Sequence, residues 1–183
     1  VVGWENRPAS PSELGKMQEL LAAAMREGGC GFSTGLIYPP GMYADRNELV
    51  ALCRTTSENG GFYATHMRNE GDRLLESVAE TVALGEANGI PVHVSHHKAF
   101  GKANWGKVKD SLALMEAARE KGVEVTCDVY PYVAGMTSSE LLAMMVGGMA
   151  TISGGVMAVY IAMGADPVAI LATSVMAAPC GLY

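Results

Sequence analysis

The chain has 183 residues, of which 49% are hydrophobic and 17% charged, and its formal net charge is −6. This balance excludes a strongly basic nucleic-acid-binding protein. The four cysteines lie far apart without a CxxC pair, which argues against a disulfide framework and fits a reducing compartment such as the cytoplasm. All 13 lysines and arginines lie at or before Lys121, whereas residues 136–183 hold only two charged residues, Glu140 and Asp166. We therefore expect a boundary between two physical environments near residue 135.

In chain order, residues 1–135 alternate between helix and strand patterns. The first helix begins at Ser10, a good cap, with Pro11 at the first helical position and Glu13 placed for a capping box. Further helices are predicted at residues 45–58, 73–88 and 107–121, and strands at residues 31–35, 62–65, 91–95 and 124–129. Apolar residues at helical spacing mark the predicted inward faces, namely Leu14, Met17, Leu20, Leu21 and Ala24 in the first helix and Leu74, Leu75, Val78, Val82 and Leu84 in the third.

This alternation indicates an α/β fold with a parallel sheet and helical crossovers. Four strands in about 130 residues would make half of a (β/α)8 barrel, which typically needs about 250 residues. A doubly wound sheet is the alternative, but no GxGxxG follows any predicted strand. The sequence thus predicts a partial barrel of TIM type over residues 1–135.

The remaining residues, 136–183, have a different character. Residues 141–163 form an uncharged run of 23 residues, long enough to span a bilayer. The run is rich in the small residues that let membrane helices approach each other closely. A buried helix of a large soluble protein is the alternative, which the length of the run and its lack of an amphipathic period disfavour. We predict a membrane-type helical segment, with membrane association through residues 141–183.

Three polar residues follow predicted strands in the first part of the chain. His66 follows FYAT, His96 follows PVHVS, and Tyr130 follows VTCDV. Parallel barrels carry their chemistry at the carboxyl ends of the strands, and two imidazoles placed there would suit a zinc site. Spacing alone leaves open the alternative that both histidines are hydrogen-bonded structural residues.

Four longer sequence words surround these positions: GFSTGLIYPPGMYAD, GGFYATHMRNEGDRLLESV, IPVHVSHHKAFGKANWGKV and VTCDVYPYVAG. In this order and spacing they resemble the D-aminoacylase (N-acyl-D-amino-acid deacylase) branch of the amidohydrolase superfamily, over about residues 1–135. The resemblance implies a (β/α)8 barrel that hydrolyses the amide of N-acyl-D-amino acids, its small-molecule partners, at a zinc site.

The resemblance also implies roles for individual residues in metal binding. His66 of THMRNE and His96 of SHHK match two zinc ligands. His97 lies off the ligand position and His93 lies within a strand, so both are interpreted as structural. Cys30 is interpreted as a core residue rather than a ligand.

Substrate contacts are implied in the same way. Lys98 of SHHK matches a substrate-contacting lysine, and Tyr38 of LIYPPG and Tyr130 of DVYPY match aromatic residues that line the substrate pocket. Arg68, beside the first ligand, is a further candidate for substrate binding. For Arg68 and Asn69 the alternative is hydrogen bonding within their loop.

The resemblance places several required groups outside this sequence. The family's HxH pair and its metal-ligating cysteine would precede Val1, and its catalytic aspartate belongs to a later strand. Zinc in such sites polarises the amide carbonyl and lowers the pKa of bound water towards about 7, while the aspartate transfers protons. We therefore expect the chain to be catalytically incomplete as it stands, with no catalytic residue of its own.

The tail carries a second resemblance. MTSSELLAMMVGGMATISGGVMAVYIAMG together with ILATSVMAAPCGL resembles a transmembrane stretch of concentrative nucleoside transporters. No site residue carries over from that family. The sequence is thus interpreted as a partial amidohydrolase joined to a transporter fragment, with two alternatives: a transporter piece with an N-terminal extension, or an artefactual chimera without a function of its own.

Overall fold

Helices and strands alternate through residues 1–131, which are the residues that the computed structural model describes. Four helices and four strands occur there in strict alternation. They are α1 (Pro11–Arg26), β1 (Gly31–Gly35), α2 (Arg46–Glu58), β2 (Phe62–His66), α3 (Leu74–Asn88), β3 (Val92–Val94), α4 (Lys107–Glu120) and β4 (Val125–Cys127). Two short 3-10 helices, Gly41–Tyr43 and Lys102–Asn104, lie in the loops after β1 and β3. The predicted alternation is therefore confirmed.

The helix ends follow from local hydrogen bonding. At the start of α1, the backbone N–H of Glu13 donates to the Ser10 hydroxyl, and the Ser10 N–H donates to the Glu13 carboxylate at 2.8 Å. This reciprocal capping box is the one predicted from the sequence. Asp45 caps α2 by accepting from the Glu48 N–H at 2.8 Å. Gly89 ends α3 with φ 58°, a left-handed conformation that glycine adopts without the steric cost of a Cβ atom.

The four strands form a parallel sheet in the order β1-β2-β3-β4. Helices that follow each other in the chain also pack against each other, α1 on α2, α2 on α3 and α3 on α4. The winding therefore runs in one direction with one layer of helices. A doubly wound sheet reverses its strand order at a switch point and places helices on both faces, so the observed order favours the barrel type of winding.

The core lies between this helix layer and the sheet. Tyr63, Val94, Leu74 and Val78 are completely buried there. The Tyr63 hydroxyl lies 2.7 Å from that of Thr34, so its polar end is satisfied inside the core. The opposite side of β2 is more open, since Phe62 is 39% exposed. The sheet thus has one well-covered face.

The predicted inward faces are only partly correct. In α3, Leu74, Val78 and Leu84 are buried, whereas Leu75 and Val82 are half-buried. In α1, Leu20 is 56% exposed and Met25, which the pattern did not mark, is buried. The position of α1 explains this difference. α1 packs beside α2 at the β1 side of the sheet, so its neighbours cover a narrower stripe of its surface than the neighbours of α3 cover.

Within residues 1–131 no helix has the length and hydropathy required to cross a membrane. The predicted membrane-type run, residues 141–163, lies outside the described residues, as does the whole of the predicted second domain, residues 136–183.

Candidate metal centre

Two histidines meet at the carboxyl edge of the sheet. His66 is the last residue of β2, and His96 lies two residues after β3. Because β2 and β3 are neighbouring parallel strands, their carboxyl ends lie at the same edge. Nδ1 of His66 directly faces Nε2 of His96, and the ring centroids are 4.3 Å apart. The proximity that the sequence predicted for this pair is present.

The backbone at His96 has an uncommon conformation. Its φ is 41°, and it is the one non-glycine residue among residues 1–131 with a positive φ. A side chain at such an angle costs energy and is usually held by its surroundings. Here the His96 N–H donates to the Asp128 carboxylate, and the N–H of His97 donates to the Asp128 carbonyl at 2.8 Å. The end of β4 therefore fixes the turn that carries His96.

The His66 and His96 rings face each other with their nitrogens. Burial, and next the adjacent His96, lower the pKa of His66, so its neutral form is favoured at neutral pH. Two imidazole nitrogens that converge on one point need either a shared proton or a cation between them. A neutral ring nitrogen is also the form that binds a metal. The donor pair therefore fits a zinc ion, for which it supplies two of the three or more protein ligands that such sites use.

Glu70 lies beside this histidine pair and Lys98, and the four residues are called the histidine cluster below. The sequence interpretation missed Glu70. One carboxylate oxygen lies 2.9 Å from Nδ1 of His96 and the other 2.6 Å from Nζ of Lys98. Burial alone would raise the pKa of Glu70, but hydrogen bonds from His96 and Lys98 outweigh it and lower that pKa. The carboxylate is therefore ionised. The available signal was its place in the THMRNE word, four residues after His66.

Two tyrosines flank the histidine pair. The ring of Tyr38, in the loop after β1, lies 6.1 Å from the His66 ring between centroids. The ring of Tyr130, after β4, lies 6.3 Å from that of His96, and Nζ of Lys98 lies 5.3 Å from the Tyr130 ring centre, in cation–π range. The structure therefore brings together five of the six predicted site residues.

The sixth, Arg68, is engaged elsewhere. Its guanidinium pairs with the Glu80 carboxylate on α3 at 3.0 Å and donates to the backbone carbonyls of Met42 and Ala44 at 2.8 and 3.1 Å. Asn69 accepts from two backbone N–H groups of its own loop. These contacts favour the alternative role for both residues, which is to hold the loops in place.

The two other histidines make hydrogen bonds within the structure, whereas Cys30 does not lie where the sequence predicted. Nε2 of buried His97 lies 2.9 Å from the Ser111 hydroxyl, and Nδ1 of His93 lies 2.8 Å from that of Thr126. The interpretation of Cys30 as a core residue is wrong, because Cys30 is exposed; it lies in the loop before β1, at the edge of the sheet. In the described part of the chain, no group of three or more His, Cys, Asp or Glu side chains could hold a metal ion.

Comparison with known proteins finds two kinds of relative, although no family model matches the chain. D-aminoacylase and N-acyl-D-glutamate deacylase, both from Alcaligenes xylosoxydans xylosoxydans, are 43% identical over 131 residues and 42% identical over 128 residues. These alignments cover 72% and 70% of this chain but only 27% and 26% of the relatives, so the chain spans about a quarter of their length. Sodium/nucleoside cotransporter 1 from Sus scrofa is 50% identical over 54 residues, which are 30% of this chain and 8% of the transporter.

Solved structures agree with the first group. N-acyl-D-glutamate deacylase from Bordetella bronchiseptica, complexed with zinc and a phosphonate inhibitor, superposes with a TM-score of 0.68 at 42% identity, over 69% of this chain and 27% of that one. A D-aminoacylase with a binuclear metal centre gives a TM-score of 0.69 at 40% identity, over 76% and 30%. Some 70% of this chain is therefore homologous to the D-aminoacylases and N-acyl-D-glutamate deacylases, a branch of the amidohydrolases, and a separate segment is homologous to sodium/nucleoside cotransporters.

Proposed function

We propose that residues 1–135 are part of a metal-dependent N-acyl-D-amino-acid deacylase built on a (β/α)8 barrel. The observation that carries the proposal is the convergence of His66 Nδ1 and His96 Nε2 at the carboxyl edge of a parallel sheet, in a segment homologous to such deacylases. Parallel barrels place their active sites at this edge.

The residues of the cluster then have distinct roles. His66 and His96 would hold zinc, which when bound polarises the amide carbonyl and acidifies its water. Lys98, with Tyr38 and Tyr130 on either side, would bind the acylated amino acid, whose carboxylate suits the lysine ammonium. Arg68 was predicted to bind substrate as well, but its guanidinium already contacts Glu80 and two backbone carbonyls, so we assign it to loop positioning.

We further propose that the chain does not hydrolyse these substrates as it stands. Two histidines are fewer than the three protein ligands of a catalytic zinc site. Nor does any carboxylate of the cluster have the place of a general base. Glu70 is occupied by His96 and Lys98, and Asp128 by the His96 backbone N–H. General acid–base catalysis alone is typically worth about 10²–10⁴-fold in rate.

Two measurements on the full chain, kept in mild detergent, test this proposal. Zinc affinity is measured by competition with a chromophoric chelator and should fall in His66→Ala and in His96→Ala. It should not fall in His93→Asn, which changes a histidine within β3 whose Nδ1 lies 2.8 Å from the Thr126 hydroxyl and which is not a candidate ligand. Release of methionine from N-acetyl-D-methionine should stay at background with added zinc, with an intact D-aminoacylase as positive control. Unchanged zinc affinity in both alanine variants would overturn the metal site. Zinc-dependent turnover that His66→Ala abolishes would overturn the inactivity.

A second candidate function rests on the transporter-like segment. Its 50% identity to sodium/nucleoside cotransporter 1 over 54 residues supports membrane association through residues 141–183. The cytoplasmic location expected of residues 1–135 stays a prediction. The alternative is an artefactual join without a function of its own. Sequencing one continuous DNA molecule across codons 130–142 separates the two, because an artefactual join would be absent from that molecule.

A further inference from the structure

Glu70 occupies a position between the candidate metal ligand His96 and the candidate substrate residue Lys98. It lies in the loop after β2, and its side chain is 10% exposed. One oxygen is 2.9 Å from His96 Nδ1 and the other 2.6 Å from Lys98 Nζ. A carboxylate in this place accepts two hydrogen bonds from two different functional side chains at once.

The hydrogens of this cluster can be assigned from its acceptors. Lys98 Nζ lies 2.9 Å from His96 Nδ1, but also 2.9 Å from the His96 carbonyl and 2.6 Å from Glu70. The lysine ammonium can therefore donate to two oxygens without using Nδ1. The other oxygen of Glu70 has Nδ1 as its close partner, so a proton on Nδ1 satisfies both groups. In this tautomer Nε2, the nitrogen that faces His66, carries no proton and has a free lone pair.

The loop that carries Glu70 is itself held by several contacts. The carbonyl of Glu70 accepts from the N–H of Phe100 at 2.7 Å, which ties the loop after β2 to the loop after β3. Asn104 reinforces this tie by donating to Asp72 at 3.0 Å and to the Phe100 carbonyl at 2.9 Å. The carboxylate is therefore fixed relative to both strands that supply the histidines.

We infer that Glu70 is a positioning residue, which sets the tautomer of His96 so that Nε2 can bind the metal and holds Lys98 beside it. The inference rests on the proposed metal site. A histidine ligand that donates its second N–H to a carboxylate is oriented and made more basic, and loss of such a partner typically costs about 10–100-fold in metal affinity. In this role Glu70 acts through His96 and Lys98, its two close partners.

The tautomer can be measured without metal. The chain has four histidines, so ¹⁵N-histidine labelling of the full chain in mild detergent gives a spectrum that single histidine substitutions assign. His96 should carry its proton on Nδ1 in the unmodified chain at pH 8. In Glu70→Gln the tautomer equilibrium of His96 should shift towards the Nε2-protonated form that histidine prefers in water. Glu76→Gln is the control and should leave the His96 tautomer unchanged. Glu76 is an exposed carboxylate on α3 that forms an ion pair with Arg73.

Three further results decide the inference. Lys98→Met should leave the proton on Nδ1, whereas a shift there would mean that the lysine and not Glu70 sets the tautomer. Zinc affinity should fall about 10–100-fold in Glu70→Gln and stay unchanged in Glu76→Gln. If Glu70→Gln does not fold, Glu70→Asp, whose shorter side chain cannot reach both partners, should show the same direction of change. An unshifted tautomer in a folded Glu70 variant would overturn the inference. Zinc binding that does not depend on His66 and His96 would overturn the proposed metal site. The spectrum of the metal-free chain would still test whether Glu70 sets the tautomer of His96.

Discussion

His96 combines a candidate ligand side chain with a left-handed backbone. At φ 41°, the Cβ atom of any non-glycine residue is crowded, at a cost of about 1–2 kcal/mol. The hydrogen bond from the His96 N–H to Asp128 helps to hold this conformation. The fold thus accepts local strain where the imidazole is brought against His66.

This strain predicts an unusual order of stability among variants. His96→Gly should be more stable than His96→Ala by about 1 kcal/mol, because glycine tolerates a positive φ and alanine does not. The free energy of unfolding is measured by urea titration of the full chain in mild detergent, with far-UV circular dichroism. At Ser95, where φ is not positive, alanine should be at least as stable as glycine. An alanine variant at 96 as stable as the glycine variant would show that the turn is not strained.

Cys53 and Tyr63 are buried titratable residues of the core. Burial raises the pKa of the Cys53 thiol from 9.0 to about 12 and that of the Tyr63 hydroxyl from 10.0 to about 12. A raised pKa in the folded state means that the neutral form stabilises the fold. This contribution is complete below the unfolded pKa and is lost as the pH rises towards the folded one.

The free energy of unfolding should therefore fall above pH 9, by about 1.4 kcal/mol per pH unit for each group that ionises only on unfolding. Between pH 9 and 10 the loss comes mainly from Cys53, so Cys53→Ala should show a shallower slope there. Urea titrations at half-unit pH intervals measure it. Equal slopes in the two proteins would contradict the buried-thiol explanation, whatever the difference in absolute stability.

At the scale of elements, loops as well as strands build the site edge. Arg68 connects α3 to the segment after β1, because it pairs with Glu80 and donates to the carbonyls of Met42 and Ala44. This segment also carries Tyr38, one wall of the histidine cluster. The arginine therefore reaches the site indirectly, through the loop that it holds.

A double-mutant cycle on Arg68 and Glu80 tests this role. Arg68→Gln and Glu80→Gln should each destabilise the fold, and the double variant should lose less than the sum, with a coupling energy of about 1 kcal/mol for a half-buried pair. Arg73→Gln with Glu76→Gln, an exposed pair at 65% side-chain exposure, is the control and should show little coupling. Additive effects at 68 and 80 would leave Arg68 available for another role.

At the scale of the whole molecule, the described residues form a sheet of four parallel strands, and the tail, residues 136–183, is predicted from its sequence to be of membrane type. In the described residues β1 and β4 each pair with a single strand. Sheet edges of this kind promote association unless they are covered. We expect the uncharged residues 141–163, which lie outside the described residues, to add apolar surface well above the few hundred Å² usual for soluble monomers.

The chain expressed alone should therefore partition with membranes or aggregate. Fractionation by ultracentrifugation, followed by extraction with detergent or with carbonate, measures this. A version that ends at residue 135 is the matched comparison and should leave the membrane fraction. Recovery of the complete chain as a monodisperse monomer without detergent would refute the membrane-type interpretation of the tail.

The sequence by itself determined the elements and their class. The capping box at Ser10, the Asp45 cap and the glycine after α3 are local signals, and they placed the helix starts and ends within a few residues. Apolar periodicity was less reliable, since it marked Leu20, which is exposed. Periodicity reports which face could be buried, whereas the neighbouring elements decide how much of that face is covered.

The residues of the candidate site also fall into two groups, those that the sequence indicated and those that only the tertiary structure decided. The strand ends indicated His66, His96 and Tyr130, because each follows a predicted strand and the carboxyl ends of parallel strands share one edge. Lys98 and Tyr38 were indicated by the family resemblance of the sequence words around them. Glu70 and the true surroundings of Arg68 were decided only by the tertiary structure. Both lie in the same loop, and nothing in the local sequence tells which side chain turns towards the histidines and which towards α3. That choice depends on contacts with the loops after β1 and β3, which are distant in the chain and meet only when the sheet has formed.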